Sequence, residues 1–154
     1  MDYSGGGYTL LQLLIQEVRG QNFTSFMQQR VFLPLGMIDT TYNFDEAMTG
    51  PVAENYAADG ATEPLRRYTS LAATALVTDA SDLARFPAVQ APGAAESAVL
   101  TKDTLAQMGD FIIGHDGDNA PAINTAVRLS PADGDAIVVL TTGMPLTATR
   151  LASE

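Results

Sequence analysis

The sequence predicts an α+β fold in which helices come first and an antiparallel hairpin comes last. Three observations predict it: apolar residues at helical spacing in the first third, a polar middle punctuated by glycine and proline, and a switch to alternation near the C-terminus. Residues 8–19 place Leu10, Leu11, Leu14, Ile15 and Val18 along a helix, and Gly20 stands where a left-handed cap would end it. Thr24 or Ser25 is expected to cap a second helix through Phe26, Met27 and Val31 to Phe32, with Pro34 forcing its end. Residues 39–64 lack apolar periodicity and are expected to run over the surface. Asp79 or Ser81 then caps a short helix with Asp82 in its first turn, turning Leu83, Ala84 and Phe86 inward before Pro87 interrupts it. Thr101 caps another over residues 101–108. The last third changes period. Ile123, Thr125, Val127 and Leu129 alternate with small or polar residues, P-A-D-G-D supplies a turn through Asp133, Gly134 and Asp135, and A-I-V-V-L-T-T is β-branched, so residues 123–142 predict a hairpin.

Composition narrows the function classes. A chain of 154 residues with 46% hydrophobic and 17% charged residues carries one core, and no apolar run approaches the roughly 18 residues of a membrane span. The net charge is −10 and Lys102 is the only lysine, so no basic patch is available for phosphates; nucleic acid is not an expected partner. Absent cysteine removes disulfides and thiolate metal sites. The opening Met-Asp-Tyr has neither the basic nor the apolar segment of a secretion signal, which leaves the compartment open, an exported or periplasmic parent included.

Two short stretches carry the chemistry. Y-S-G-G-G-Y at residues 3–8 sets a Tyr-Ser pair on a glycine-rich turn, and G-H-D-G-D-N at residues 114–119 sets the only histidine between Gly114 and Gly117. Taken bare, Tyr3 is a terminal tyrosine, and a lone histidine in a turn is more often structural than catalytic. The glycines at 5–7 do not make a phosphate loop, because no strand precedes them and no Lys-Ser/Thr follows. Asp116, Asp118 and Asn119 match a calcium loop at two positions and lack its closing glutamate, so a solvated turn is the better reading.

In order, Y-S-G-G-G-Y-T-L-L-Q-L-L-I-Q-E-V-R-G, V-F-L-P-L-G-M-I-D-T-T, S-L-A-A-T-A-L-V-T-D-A-S-D-L-A-R-F, G-H-D-G-D-N and D-G-D-A-I-V-V-L-T-T-G resemble the serine β-lactamase and penicillin-binding-protein superfamily. The similarity is to the branch of class C β-lactamases, D-aminopeptidases and family VIII carboxylesterases. The resemblance implies a β-lactamase/transpeptidase-like fold, its hairpin lying on a helical layer, and hydrolysis of an ester, a β-lactam or a D-amino-acid peptide through an acyl-enzyme, without metal or cofactor. It places Tyr3 on the family's proton-shuttling tyrosine, with Ser4 and Gly5 beside it, and His115, Asp116 and Gly117 on the K-T-G or H-x-G element next to the nucleophile. A serine hydroxyl needs an adjacent base to attack near neutral pH, and a glycine on the strand lets the acyl group lie against backbone amides that stabilise the oxyanion.

The family's S-x-x-K is absent: no serine of the chain stands three residues before Lys102. Residues 1–154 are therefore expected to form a single partial domain lacking the portion that carries the nucleophile, inactive alone. The family also inserts a loop and a strand where only residues 109–113 intervene, so a shortened sheet is expected. The alternative is a non-catalytic binding or self-associating module, joined to another copy or to a complementary chain through an exposed sheet edge.

Overall fold

The computed structural model describes residues 4–89, 91, 99–108, 113–119, 123–130, 132–143, 148 and 151–152. Helix α1 runs Gly5–Arg19; Ser4 caps it by accepting the Gly7 N–H on Oγ at 3.1 Å, and Gly20 closes it at φ 59°. The predicted helix is there, but its apolar stripe faces out. Leu10, Leu14 and Val18 are 69%, 57% and 69% exposed, whereas Thr9, Gln12, Ile15 and Gln16 are half-buried. Gln12 explains part of this inversion: its Oε1 accepts the Ala72 N–H at 3.0 Å, docking α1 on α5 (Leu71–Thr74) by a polar contact.

Helix α2 (Phe23–Met27) starts two to three residues earlier than expected. Its cap is Asn22, not Thr24 or Ser25: Asn22 Oδ1 accepts the Thr24 N–H at 2.9 Å, which lets Phe23 enter the core at the first helical position. The helix widens into a π turn (Gln28–Phe32), with the Leu33 N–H reaching Gln28 O, and continues into α3 (Leu33–Leu35). Pro34 sits in the first turn of α3, where its missing N–H costs little, so the stop is set by Gly36 instead. At φ 72° Gly36 sends its N–H to Leu33 O, and Met37 sends its own to Phe32 O. Phe23, Phe32 and Met37 are buried, and the Tyr42 ring lies 5.1 Å from Phe23 and 5.6 Å from Phe32.

The stretch expected on the surface begins in the interior. Thr40, Thr41 and Asn55 are buried, and Thr41 exchanges two backbone hydrogen bonds with Val77. Farther along it forms α4 (Phe44–Ala47), capped by Asn43, and an antiparallel pair of two-residue strands, β1 (Asn55–Tyr56) and β2 (Thr62–Glu63). Arg67 pairs with Asp45 and stacks 4.8 Å over the Phe44 ring; its hydrogen bonds hold the Asp45 carboxyl below the usual carboxylate range. Helix α6 (Ala80–Ala88) has Asp79 as cap, its Oδ1 accepting the Asp82 N–H at 2.8 Å.

Asp82 is the expected first-turn acid, and it is buried. It is 4% exposed and accepts the Asp39 N–H (2.7 Å) and the Thr40 hydroxyl (3.0 Å) on Oδ2, while Thr40 and Thr78 hydroxyls meet at 2.7 Å. Asp82 is anchored inward, and two expectations for α6 are corrected. Phe86 stays 41% exposed, and Pro87 is buried in the last turn without interrupting the helix. Helix α7 (Lys102–Met108) follows its predicted cap, Thr101 Oγ1 accepting the Thr104 N–H at 3.2 Å.

Three strands, β3 (Ile113–Asn119), β4 (Ile123–Leu129) and β5 (Ala136–Thr142), form an antiparallel sheet in the order β3-β4-β5. The predicted hairpin is β4–β5, in register from Ile123↔Thr142 to Leu129↔Ala136. Gly134 turns it at φ 79°, giving its N–H to Ser130 O at 2.8 Å. β4 is the central strand, and the predicted alternation does not decide its burial: Asn124, Ala126 and Leu129 are buried, and Ile123, Thr125 and Val127 are half-buried. The D-G-D-N stretch is strand rather than turn, because β3 pairs with β4 through Asn119↔Ile123. The strand expected to be missing falls at residues 109–112, outside the described residues. Helix α6 covers β5, whose outer edge has no strand partner among the described residues. Among them, no helix is long and apolar enough to cross a membrane.

Two outcomes follow from this core. Asp82→Ala orphans the Asp39 N–H, leaves the Thr40 hydroxyl with Thr78 alone, and is expected to lower the unfolding free energy by about 1–3 kcal/mol in urea titrations. Burial pushes the Tyr42 hydroxyl up to about 12. The folded state then keeps that proton when the unfolded chain has lost it, so this contribution is whole below pH 10 and lost as pH rises through 12. Stability measured between pH 9 and 12 should fall less steeply in Tyr42→Phe.

Candidate functional site

The sequence nominates two places. At the first, Ser4 is the N-cap of α1 and Gly5 its first residue, while Tyr3 lies outside the described residues. The second lies on β3, where His115, Asp116 and Gly117 occupy consecutive positions opposite Val127, Ala126 and Thr125 of β4. His115 and Asp116 are exposed and Gly117 is half-buried. Both places are tied to the same short helix: α1 packs on α5, and Asn119 Nδ2 at the end of β3 donates to Thr74 O of α5 at 3.4 Å.

The two glycines of β3 are required by close approach. A Cβ on Gly114 would stand 2.7 Å from Val127 O and 2.9 Å from Arg128 Cδ, and one on Gly117 would run into Thr125 Oγ1. Side chains at these positions would push β3 off β4, so the strand flanking His115 lies flat only because both positions are bare. Over Gly114 lies Arg128, whose Nη1 pairs with Asp116 Oδ1 at 2.6 Å and donates to Val127 O at 2.9 Å. The Asp116 carboxylate holds the Arg128 guanidinium charged, above its ordinary range. Gly114, His115, Asp116 and Arg128 line an open recess. It offers an imidazole beside an internally neutralised ion pair and a strand with almost no side-chain bulk.

Behind β3, Asn124 fixes the glycine. It is 1% exposed; its Nδ2 donates to Gly117 O at 3.2 Å, its Oδ1 accepts the Ala148 N–H at 2.8 Å, and its carbonyl accepts the Thr141 hydroxyl at 3.1 Å. One buried amide thus ties β3, β5 and the C-terminal segment to β4. Sequence reasoning missed Asn124, Arg128 and the burial of Asp82. Polar residues inside a strand or helix pattern give no sign of long-range partners, although the hairpin register does set Arg128 near the glycine-rich stretch once β3 is known to pair.

Asp39, Asp79 and Asp82 bring carboxylate oxygens within 4.8 Å of one another. Oxygens of Asp79 and Asp82 already accept hydrogen bonds from the α6 backbone, the Asp39 N–H and Thr40, so this cluster is explained as the lock described above. On β3, Asp116 and Asp118 belong to an extended strand, which cannot wrap a cation as a calcium loop does.

The sequence model of the Beta-lactamase family matches residues 1–110. The chain belongs to that family. The β-lactamase fold is equally plain in solved structures. A D-alanine carboxypeptidase AmpC from Burkholderia cenocepacia is similar with a TM-score of 0.76 at 21% identity, over 97% of this chain and 58% of that one. An octameric penicillin-binding protein homologue from Pyrococcus abyssi matches at 0.76 and 18% identity, over 90% of this chain and 38% of its own. A class C beta-lactamase matches at 0.73 and 14% identity, over 97% of this chain and 54% of that one. This β-lactamase-family chain therefore spans a little over half the length of the carboxypeptidase and the class C enzyme. No curated protein matches it in sequence.

The glycine packing predicts a graded response. Gly114→Ala meets a backbone oxygen that cannot swing away and should lower stability by about 1–3 kcal/mol in thermal or urea unfolding. The clash at Gly117 is with a side-chain hydroxyl, so Gly117→Ala should be less harmful and should be rescued in the Thr125→Ala background.

Proposed function

We propose that this chain contributes the acyl-binding edge of a serine hydrolase acting on an ester, a β-lactam or a D-amino-acid peptide. The observation that carries the reading is β3: a histidine two residues before a glycine that bears its own steric requirement, on a strand of a β-lactamase-family domain. His115 then hydrogen-bonds the substrate, Gly117 leaves room for the acyl group against the strand, and Tyr3 moves the proton between nucleophile and leaving group, with Ser4, Gly5 and Asp116 shaping the cleft. In acylation the attacking serine oxygen bonds the carbonyl carbon, its proton passes through the Lys–Tyr base to the leaving group, and water later releases the acyl group.

That nucleophile is not encoded in these 154 residues, which hold no Ser-x-x-Lys. Residues 1–154 are on this reading a partial domain whose catalytic serine comes from other polypeptide. Loss of the nucleophile from such a unit costs several orders of magnitude in rate. The purified chain should therefore hydrolyse neither nitrocefin nor p-nitrophenyl esters, and intact-mass measurements after fluorophosphonate or fluorescent penicillin should show no adduct. Stoichiometric labelling of any one serine contradicts the reading. Non-covalent binding of a D-alanyl-D-alanine peptide, measured by calorimetry, should weaken about tenfold in His115→Ala; equal affinity for both forms removes His115 from the site.

A further inference from the structure

The buried Asn124 amide acts on the candidate site through the planarity of one peptide bond. Its side chain meets two opposite demands at once: Oδ1 accepts the Ala148 N–H at 2.8 Å, and Nδ2 donates to Gly117 O at 3.2 Å. A backbone N–H can only donate, so Ala148 fixes which way the amide is turned and leaves its NH2 facing β3. Gly117 O is thereby drawn toward β4. In a trans peptide the carbonyl and the following N–H point in opposite directions, so the Asp118 N–H is sent to the other side of β3. That side is the edge of the sheet, since no strand lies beyond β3 among the described residues.

Backbone pairing alone would leave this peptide soft. Gly117 has no Cβ to restrict its dihedrals, and β3 ends two residues later at Asn119. Rotation of the Gly117–Asp118 peptide would swing the Asp118 N–H away from the edge while leaving the rest of the strand in register. A buried hydrogen bond to the carbonyl opposes that rotation. The Thr141 hydroxyl provides a contrast within the same strand. It bonds the Asn124 carbonyl at 3.1 Å, tying β5 to β4 without reaching Gly117.

We propose that Asn124 is a positioning residue for the acyl-binding edge: by holding Gly117 O against β4 it aims the Asp118 N–H outward at the ligand. This rests on the acyl-edge reading of β3 given above. Asn124 lies behind the strand and acts through a peptide unit, so its loss changes the direction of a donor and not the charge of the site.

The test uses the isotope-labelled chain, the variants Asn124→Asp and Asn124→Leu, and Thr141→Val as a control that loosens β4 without touching Gly117. Asn124→Asp keeps an acceptor for the Ala148 N–H. Ionised, its carboxylate has nothing to donate to Gly117 O; protonated, it regains an O–H donor. Without ligand, the Gly117 carbonyl and Asp118 amide resonances should move in both Asn124 variants and stay in place in Thr141→Val. Affinity for a D-alanyl-D-alanine peptide, measured by calorimetry, should weaken about tenfold in Asn124→Asp near pH 9. It should recover toward the wild-type value, taken at each pH, as pH falls to about 6, because burial raises the pKa of the new carboxyl. Thr141→Val should lose thermal stability and keep its affinity. Asp118 resonances that stay in place in both Asn124 variants, an Asn124→Asp affinity that does not follow pH, or an equal loss of affinity in Thr141→Val overturns the proposal. A wild-type chain that does not bind the peptide contradicts the acyl-edge reading instead, and the ligand-free resonances still decide whether Asn124 orients the Gly117–Asp118 peptide.

Discussion

The closeness of β3 to β4 is the constraint on which the candidate site depends. Two positions without side chains, Gly114 and Gly117, let the strands pair through seven residues, and the Asn124 amide holds the second of them from behind. Everything chemical on this strand follows: the flat approach, the exposed imidazole between the glycines, and the Arg128 guanidinium folded over the bare Gly114 onto Asp116. A glycine in a strand ordinarily weakens it, by entropy and by lost packing. Here the loss is offset by pairing and by a buried amide whose donor and acceptor are both used.

A second polar element organises the helical part in the same manner. The Asp82 carboxylate ties the chain at Asp39 and Thr40 to the start of α6. Burying a carboxylate without partners would be costly; the hydrogen bonds from the backbone and a hydroxyl make it tolerable and also directional. Hydrophobic contacts among Phe23, Phe32, Met37 and Tyr42 supply area, whereas Asp82 and Asn124 supply register. Among the described residues the protein thus has a modest aromatic cluster and two buried polar clamps rather than one large apolar centre.

How far the sequence reveals this depends on the range of the interaction concerned. Local chemistry was readable: the Ser4 and Asp79 caps, the Gly20 stop, the Thr101 cap and the β4–β5 hairpin with its glycine turn all follow from neighbours a few residues apart. Long-range contacts were not. The identity of the α2 cap turned on burying Phe23, the burial of Asp82 on a bond 43 residues away in sequence, and the strand character of D-G-D-N on pairing with β4. The inversion of α1 is the most instructive departure. Helical spacing of Leu10, Leu14 and Val18 announces a helix with an apolar side, but periodicity does not say which neighbour covers that side. Family membership was legible from the ordered motifs, while Arg128 and Asn124 became visible only through the sheet.

The claim that most needs testing is that β3 is the edge against which an acyl ligand lies. Amide-resolved NMR of the chain during titration with a D-alanyl-D-alanine peptide addresses it directly. The account predicts that shift changes concentrate on the β3 amides around His115 and Gly117 and diminish in His115→Ala. Changes that spare β3 and gather elsewhere, on α7 or the β5 edge for instance, would contradict it.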